Sequence, residues 1–201
     1  KNTGNKEKFL AIVRKACAEP YSIILMSENL DIMRAALEIS KDRKPLIYAA
    51  TMDNYEAFGN LAREFDCPVA VCGQGIEGVS ILTDKLTGMG LKDIFIDTST
   101  RKIKEGFQEQ IIIRRAALLG KVKSLGFPTI TFPCEMTDNI MKEMLIASTF
   151  IAKYAGIIVL SDFSGEYLFP LLLQRLNIYT DPQRPMTTKE GIYPINNPNV
   201  D

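Results

Sequence analysis

Short polar clusters recur along this sequence, each placed just after an apolar run: Ser27, Glu28 and Asn29; Thr51, Asp53 and Asn54; Gly73 and Gln74; Asp97 and Thr98; Cys134 and Glu135; Ser161 and Asp162. Side chains of these types donate and accept hydrogen bonds. Gathered at one end of a parallel sheet, they would line a polar pocket for a small heterocycle or a partner surface. The same residue types also cap helices and fill turns, and Asn29, Asp53, Asp97 and Asp162 all stand where caps belong. The spacing does not fix the separation between loops, so no acid–base pair, catalytic residue or metal ligand is assigned.

Several chemistries are excluded or disfavoured by residue type. The chain has no histidine, which removes the commonest general base, the commonest zinc ligand and every histidine-dependent triad. Its cysteines, Cys17, Cys67, Cys72 and Cys134, are scattered. Only Cys67 and Cys72 are close, and positions an odd number apart on a strand face opposite sides of the sheet, so structural thiols are expected. Gly73-Gln74-Gly75 with Gly78 invites a phosphate-loop reading. No dinucleotide fingerprint with a correctly spaced acid follows it and no Walker lysine is present, so turn glycines are expected. Arg114 and Arg115 could meet a phosphate or an acidic partner. Adjacent helical residues diverge by about 100°, so one of them is expected to border the base of the sheet or an interface and the other to be solvated.

The elements that would position these clusters follow a repeated pattern of strand, polar turn and helix. Pro45 to Asn54, PLIYAATMDN, is the clearest unit: a buried apolar strand followed by turn and capping chemistry. Strands are expected over 21–26, 46–50, 67–72, 93–96, 127–132 and 156–160. Helices are expected over 5–18, from about 30, from 55, around 79–86, over 107–124 with Gly126 as the stop, over 139–154, and over 166–176. Six strand–helix units imply an α/β fold with a parallel sheet covered by helices. Six parallel strands could form an open doubly wound sheet, and the opening helix and absent glycine fingerprint also fit a TIM-type (βα) barrel, incomplete in this chain because its first two units are missing. The periodicity, together with the family resemblance given below, favours the barrel.

Composition sets the class. The chain has 201 residues, 46% of them hydrophobic and 24% charged, with 24 basic and 24 acidic side chains and a mean hydropathy of +0.02. That is a globular balance with no basic footprint for nucleic acid. No apolar run reaches the length of a membrane span, and KNTGNKEKF is not a signal peptide, so no membrane association and a cytoplasmic location are expected. From Tyr179 onward, four prolines and several asparagines predict an extended linker over 179–201, with the barrel domain occupying 1–178.

Four segments together resemble a known family: PLIYAATMDNYEAFGNLAREFDCPVAV, IRRAALLGKVKSLGFPTITFP, ASTFIAKYAGIIVLSD and IYTDPQRPMTTKEGIYPINNPN. Their order and spacing resemble the large (gamma) subunit of the corrinoid iron–sulfur protein, a component of the acetyl-CoA decarbonylase/synthase (CO dehydrogenase/acetyl-CoA synthase) complex. The resemblance implies a methyl carrier of the reductive acetyl-CoA pathway of carbon fixation. In that family a cobalamin takes a methyl group from a methyltetrahydropterin, through a pterin-dependent methyltransferase, and delivers it to acetyl-CoA synthase. It further implies a four-iron cluster domain before the barrel, a corrinoid domain after it, and a homologous small subunit as partner. The closely spaced cysteines of the cluster motif are absent here, so neither cofactor is expected on this chain, which reads as a scaffold fragment that is not catalytic alone. The alternatives are a pterin-binding methyltransferase-like barrel, in which Asn29, Asp97 and their neighbours grip a pterin, and an unrelated barrel enzyme using Asp, Glu, Lys or Tyr.

Overall fold

The computed structural model of the chain describes residues 5–179. The expected linker over 179–201 lies, beyond Tyr179, outside the described residues. A first helix, α1 (Lys6–Ala18), is followed by six strand–helix pairs. These are β1 (Ile24–Met26) and α2 (Leu30–Ser40), β2 (Leu46–Ala50) and α3 (Tyr55–Glu64), β3 (Val69–Cys72) and α4 (Gly75–Gly88), β4 (Ile94–Asp97) and α5 (Ile103–Leu118), β5 (Ile130–Thr131) and α6 (Ile140–Ala152), and β6 (Ile157–Ile158) and α7 (Gly165–Tyr179). The expected alternation of parallel strands with helices is therefore present in full.

Strands β1 to β4 form one parallel sheet in that order, and β5 pairs in parallel with β6. A parallel bridge between Ile96 and Thr129 joins the two sets, supported by the Ile96 N–H donating to the Pro128 carbonyl at 2.8 Å. Each strand thus lies beside its predecessor, and the order never reverses as it does in a doubly wound sheet.

The core explains why these segments settle as they do. Helical spacing places Met33, Ala36 and Leu37 on one face of α2, Phe58, Leu61 and Ala62 on one face of α3, and Val79, Leu82 and Leu86 on one face of α4. All nine are buried in a single cluster against Leu25, Ile47, Val69, Val71, Ile94 and Ile96 of the sheet. Burying one such side chain contributes about 1.5–3 kcal/mol. Beneath β5 and β6 the apolar packing breaks into two small clusters, one around Met144, Ala147, Ile151 and Leu171, the other around Ile146, Phe150 and Ala155.

Helix starts follow from asparagine. The Asn5, Asn29 and Asn139 side chains accept from the N–H groups of Lys8, Ile32 and Lys142, each at 3.0 Å, satisfying donors that a helix start leaves open.

Several boundaries are shorter than the sequence implies. The apolar runs 21–26, 127–132 and 156–160 contain only three, two and two paired strand residues. β1 and β6 are bonded from one side only among the described residues, and β6, the most apolar run, is only half buried. Helix α5 ends at Leu118 rather than near Ser124. Lys121 takes a φ of 52°, the Val122 N–H returns to the Ala116 carbonyl, and a Cβ on Gly120 would sit 2.9 Å from that carbonyl oxygen. Gly120 is therefore the stop, not Gly126.

Candidate functional site

The carboxyl ends of β1 to β4 surround a cavity of about 790 Å³, within the range of small-ligand sites. Ser27, Glu28 and Asn29 come from the end of β1, and Thr51, Asp53 and Asn54 from the end of β2; Cys72, Arg101 and Glu135 line the farther wall. In β2 the register against β3 slips between Tyr48 and Ala50. Such a bulge re-aims a side chain, and Tyr48 and Ala49 both line the cavity.

Asp97, at the end of β4, is the centre of the polar network behind this wall, and only 2% of it is exposed. Its Oδ2 accepts from the Tyr48 hydroxyl at 2.5 Å and from Arg101 Nη2 at 2.9 Å. Its Oδ1 accepts from Arg101 Nη1 at 3.0 Å and from the Ser99 N–H at 2.9 Å. This two-pronged arginine–carboxylate geometry is among the strongest side-chain pairings. Arg101 also donates from Nε to Glu135 Oε2 at 2.6 Å, and its guanidinium lies 4.5 Å from the centre of the Phe132 ring. Tyr48 meets the same ring edge-on at 5.2 Å.

The electrostatics hold these groups in fixed protonation states. Burial, and then the Asp97 carboxylate, push the Tyr48 phenol far above its ordinary range, so it stays a neutral donor. Burial opposes the charge of Arg101, but hydrogen bonds and attraction from Asp97 and Glu135 outweigh it and raise its basicity. Burial, and next Asp97, push the Cys72 thiol up; burial does the same to Cys134. Neither cysteine is an activated thiolate.

The structure brings some of the sequence-predicted residues together and separates others. Ser27, Glu28, Asn29, Thr51 and Asn54 line the cavity. Asn29 caps α2, and Asn54 Oδ1 holds the turn by accepting from the Thr51 N–H at 2.6 Å. Asp97 holds its own turn, accepting from the Ser99 N–H two residues on, and is also the buried hub behind the wall. Gly73, Gln74 and Thr98 lie off the cavity in a brace between loops. There the Gly73 and Gly75 N–H groups donate to the Asp97 and Thr98 carbonyls, and the Thr98 hydroxyl donates to Glu109. A Cβ on Gly73 would lie 2.7 Å from backbone atoms of Gly78 and Val79, so the glycines serve loop packing. Ser161 and Asp162 stand apart. The Ser161 N–H and hydroxyl donate to the two oxygens of Glu143, each at 2.6 Å, and Asp162 is exposed.

Sequence reasoning missed Tyr48 and Arg101. Tyr48 is hidden inside an apolar run, and Arg101 stands in the loop between β4 and α5, where no periodicity ties it to Asp97. Arg114 lies 4.1 Å from the Tyr154 ring centre at the opposite end of the sheet, beside the amino ends of β5 and β6, as expected for one of the two adjacent arginines.

No group of three or more cysteine, aspartate, glutamate or histidine side chains among the described residues is arranged to hold a metal, whereas a four-iron cluster takes four cysteines. Among the described residues no helix is long and apolar enough to cross a membrane.

Comparison with known proteins places this geometry in context. Residues 1–201 match the family described as CO dehydrogenase/acetyl-CoA synthase delta subunit. The corrinoid/iron-sulfur protein large subunit of Moorella thermoacetica is 38% identical over 185 residues, covering 92% of this chain and 41% of that protein. The acetyl-CoA decarbonylase/synthase complex subunit gamma of Archaeoglobus fulgidus is 31% identical, covering 99% of this chain and 45% of that one. The chain thus spans less than half the length of these curated relatives. Among solved structures, the deoxyribose phosphate aldolase from Aeropyrum pernix matches with a TM-score of 0.50 at 12% identity, covering 89% of this chain and 82% of that one. This last likeness is one of fold. Among the described residues no lysine lines the carboxyl-end cavity.

Proposed function

The chain belongs to the CO dehydrogenase/acetyl-CoA synthase delta subunit family, and from that premise we propose that it is the barrel scaffold of a corrinoid iron–sulfur methyl carrier. The whole protein would pass a methyl group from a methyltetrahydropterin to acetyl-CoA synthase in the cytoplasm. This segment would hold the corrinoid domain between partners without catalysing a step itself. The sequential strand order and the aldolase likeness support a TIM-type barrel of which six βα units lie here and the first two lie outside. Residues 1–178 would form the barrel segment and 179–201 a linker toward the corrinoid-binding domain. The partners on this reading are the small subunit, the pterin-dependent methyltransferase and acetyl-CoA synthase.

The observation that carries the scaffold reading is the closure of Arg101. The most elaborate polar cluster at the strand ends is satisfied internally, joining β2, β4 and the Pro133–Glu135 turn. A second reading, a pterin site, draws on the cavity itself, where Asn29, Asp53 and Asn54 line a space of about 790 Å³.

Methyl transfer to cobalt in the full-length complex separates the two. Under the scaffold reading, Asn29→Ala and Asp53→Ala change the KM for the methyltetrahydropterin by less than about twofold. A pterin site predicts a loss of about tenfold or more for such hydrogen bonds. Saturable binding of methyltetrahydrofolate that either substitution abolishes would sink the scaffold reading.

A further inference from the structure

The amino ends of β5 and β6 hold a second cavity, of about 370 Å³, that the proposed function leaves unused. Arg114, Lys153 and Arg175 line it, and none of its lining residues is an aspartate or glutamate. The imbalance is visible in the sequence. Stretches 110–134, 144–161 and 167–177, which supply the walls, contain no acidic residue, although the chain as a whole has a net charge of zero. Neither Arg114 nor Lys153 forms an ion pair with a described residue. Their charged ends lie instead over aromatic rings, Arg114 over Tyr154 at 4.1 Å and Lys153 over Phe107 at 5.2 Å.

A second observation concerns Gln110, which also lines the cavity and is only 7% exposed. Its Oε1 accepts from the Thr129 hydroxyl at 2.8 Å. Its Nε2 has no partner among the described residues, yet no buried side-chain nitrogen or oxygen there is left unpaired. The amide nitrogen therefore keeps exposed surface, on a residue that lines the cavity. Cations that merely neutralise the carbonyl ends of α5 and α6 would account for the charge. They would not account for a concave wall that also presents an unpartnered carboxamide nitrogen. Another wall is apolar, formed by Ile113, Leu125, Phe127 and Pro128.

We propose that this cavity binds a small organic phosphate, with its phosphoryl oxygens held by Arg114, Lys153 and Gln110 Nε2 and its apolar or aromatic body against Leu125 and Phe127. Guanidinium, ammonium and amide donors together match a tetrahedral oxyanion. No cysteine, carboxylate or histidine lines the cavity, and the carboxyl ends of the strands are where such folds place their chemistry. The site is therefore one of binding, not reaction.

Calorimetric titration of the full-length subunit with phenyl phosphate tests the proposal, with inorganic phosphate and a tetraglutamate peptide titrated in parallel. Phenyl phosphate is expected to bind saturably at one site and more tightly than inorganic phosphate. Arg114→Ala and Lys153→Ala each weaken that binding by about tenfold, the loss expected for one charge-assisted hydrogen bond. Arg115→Ala, a neighbouring cation outside the lining, changes it by less than about twofold. Arg114→Gln, which keeps the side-chain length, serves if the alanine variant fails to fold. Absence of saturable phenyl phosphate binding, equal weakening by Arg115→Ala, or binding of tetraglutamate in its place would overturn the proposal.

Discussion

The two ends of the sheet carry the same pairing, an arginine over an aromatic ring, in opposite electrostatic settings. At the carboxyl end Arg101 lies 4.5 Å from the Phe132 ring centre and donates to two carboxylates, Asp97 and Glu135. At the amino end Arg114 lies 4.1 Å from the Tyr154 ring centre, in a lining without any carboxylate. An arginine closed by carboxylates fixes the loops that supply them. An arginine left without one keeps its donors available to an anion from solution. At the larger cavity, where parallel sheets place their chemistry, the arginine is thus the structurally committed one.

Replacing each arginine breaks the comparison most sharply. Arg101→Ala strands a carboxylate that is only 2% exposed, and removing one partner of a buried pair costs about 3–5 kcal/mol. Arg114 is exposed, and Arg114→Ala is expected to change stability by less than about 0.5 kcal/mol. Urea denaturation of the two variants measures both. Equal losses would mean that Arg114 is as structurally committed as Arg101 and that the contrast between the ends is false.

How much of this was legible beforehand depended on the range of the contacts involved. Helix and strand identity followed from local periodicity, so Met33, Ala36 and Leu37 declared their face without any partner in view. The Asn29 cap was equally legible, since it joins residues only three apart. Asp97 was singled out, but its role was not, because its hydroxyl partner is 49 residues away in a run that looks uniformly apolar. Strand ends were overestimated at β1 and β6 for a related reason: apolar character does not report pairing, and each of these strands is bonded from one side only among the described residues. Gly73 and Gly78 were expected as turn glycines, and their close packing against each other was not foreseen, while Gly120 escaped notice because Gly126 offered a plausible stop nearby.

A smaller effect, and one with a pH signature, belongs to Tyr48. Tyr48→Phe removes a hydrogen bond to a carboxylate, a loss of about 2 kcal/mol at neutral pH. Burial and Asp97 raise the folded-state phenol above its unfolded value, so its contribution is complete below the unfolded value of about 10 and declines as the pH rises beyond it. Wild-type stability should therefore fall more steeply than that of Tyr48→Phe above about pH 10, narrowing the gap between them. Urea midpoints from pH 7 to 11 provide the measurement, and parallel curves would show that the phenol is not held neutral by the fold.

The smallest expected change lies at the amino end, where a neutral hydrogen bond takes the place of the charged one at Tyr48. The Thr129 hydroxyl donates to Gln110 Oε1 at 2.8 Å, which leaves Nε2 as the end with exposed surface. Thr129→Val keeps the shape of the side chain but removes that donor, with an expected loss of about 1 kcal/mol in stability. The carboxamide is then free to reverse, since nothing else fixes which of its two ends faces the anion. Reversal would present an acceptor to the phosphate in place of a donor, so phenyl phosphate affinity should fall by a few fold while Arg114 and Lys153 remain in place. An affinity equal to wild type in a folded Thr129→Val variant would remove Gln110 from the site and leave the two cations to account for binding alone.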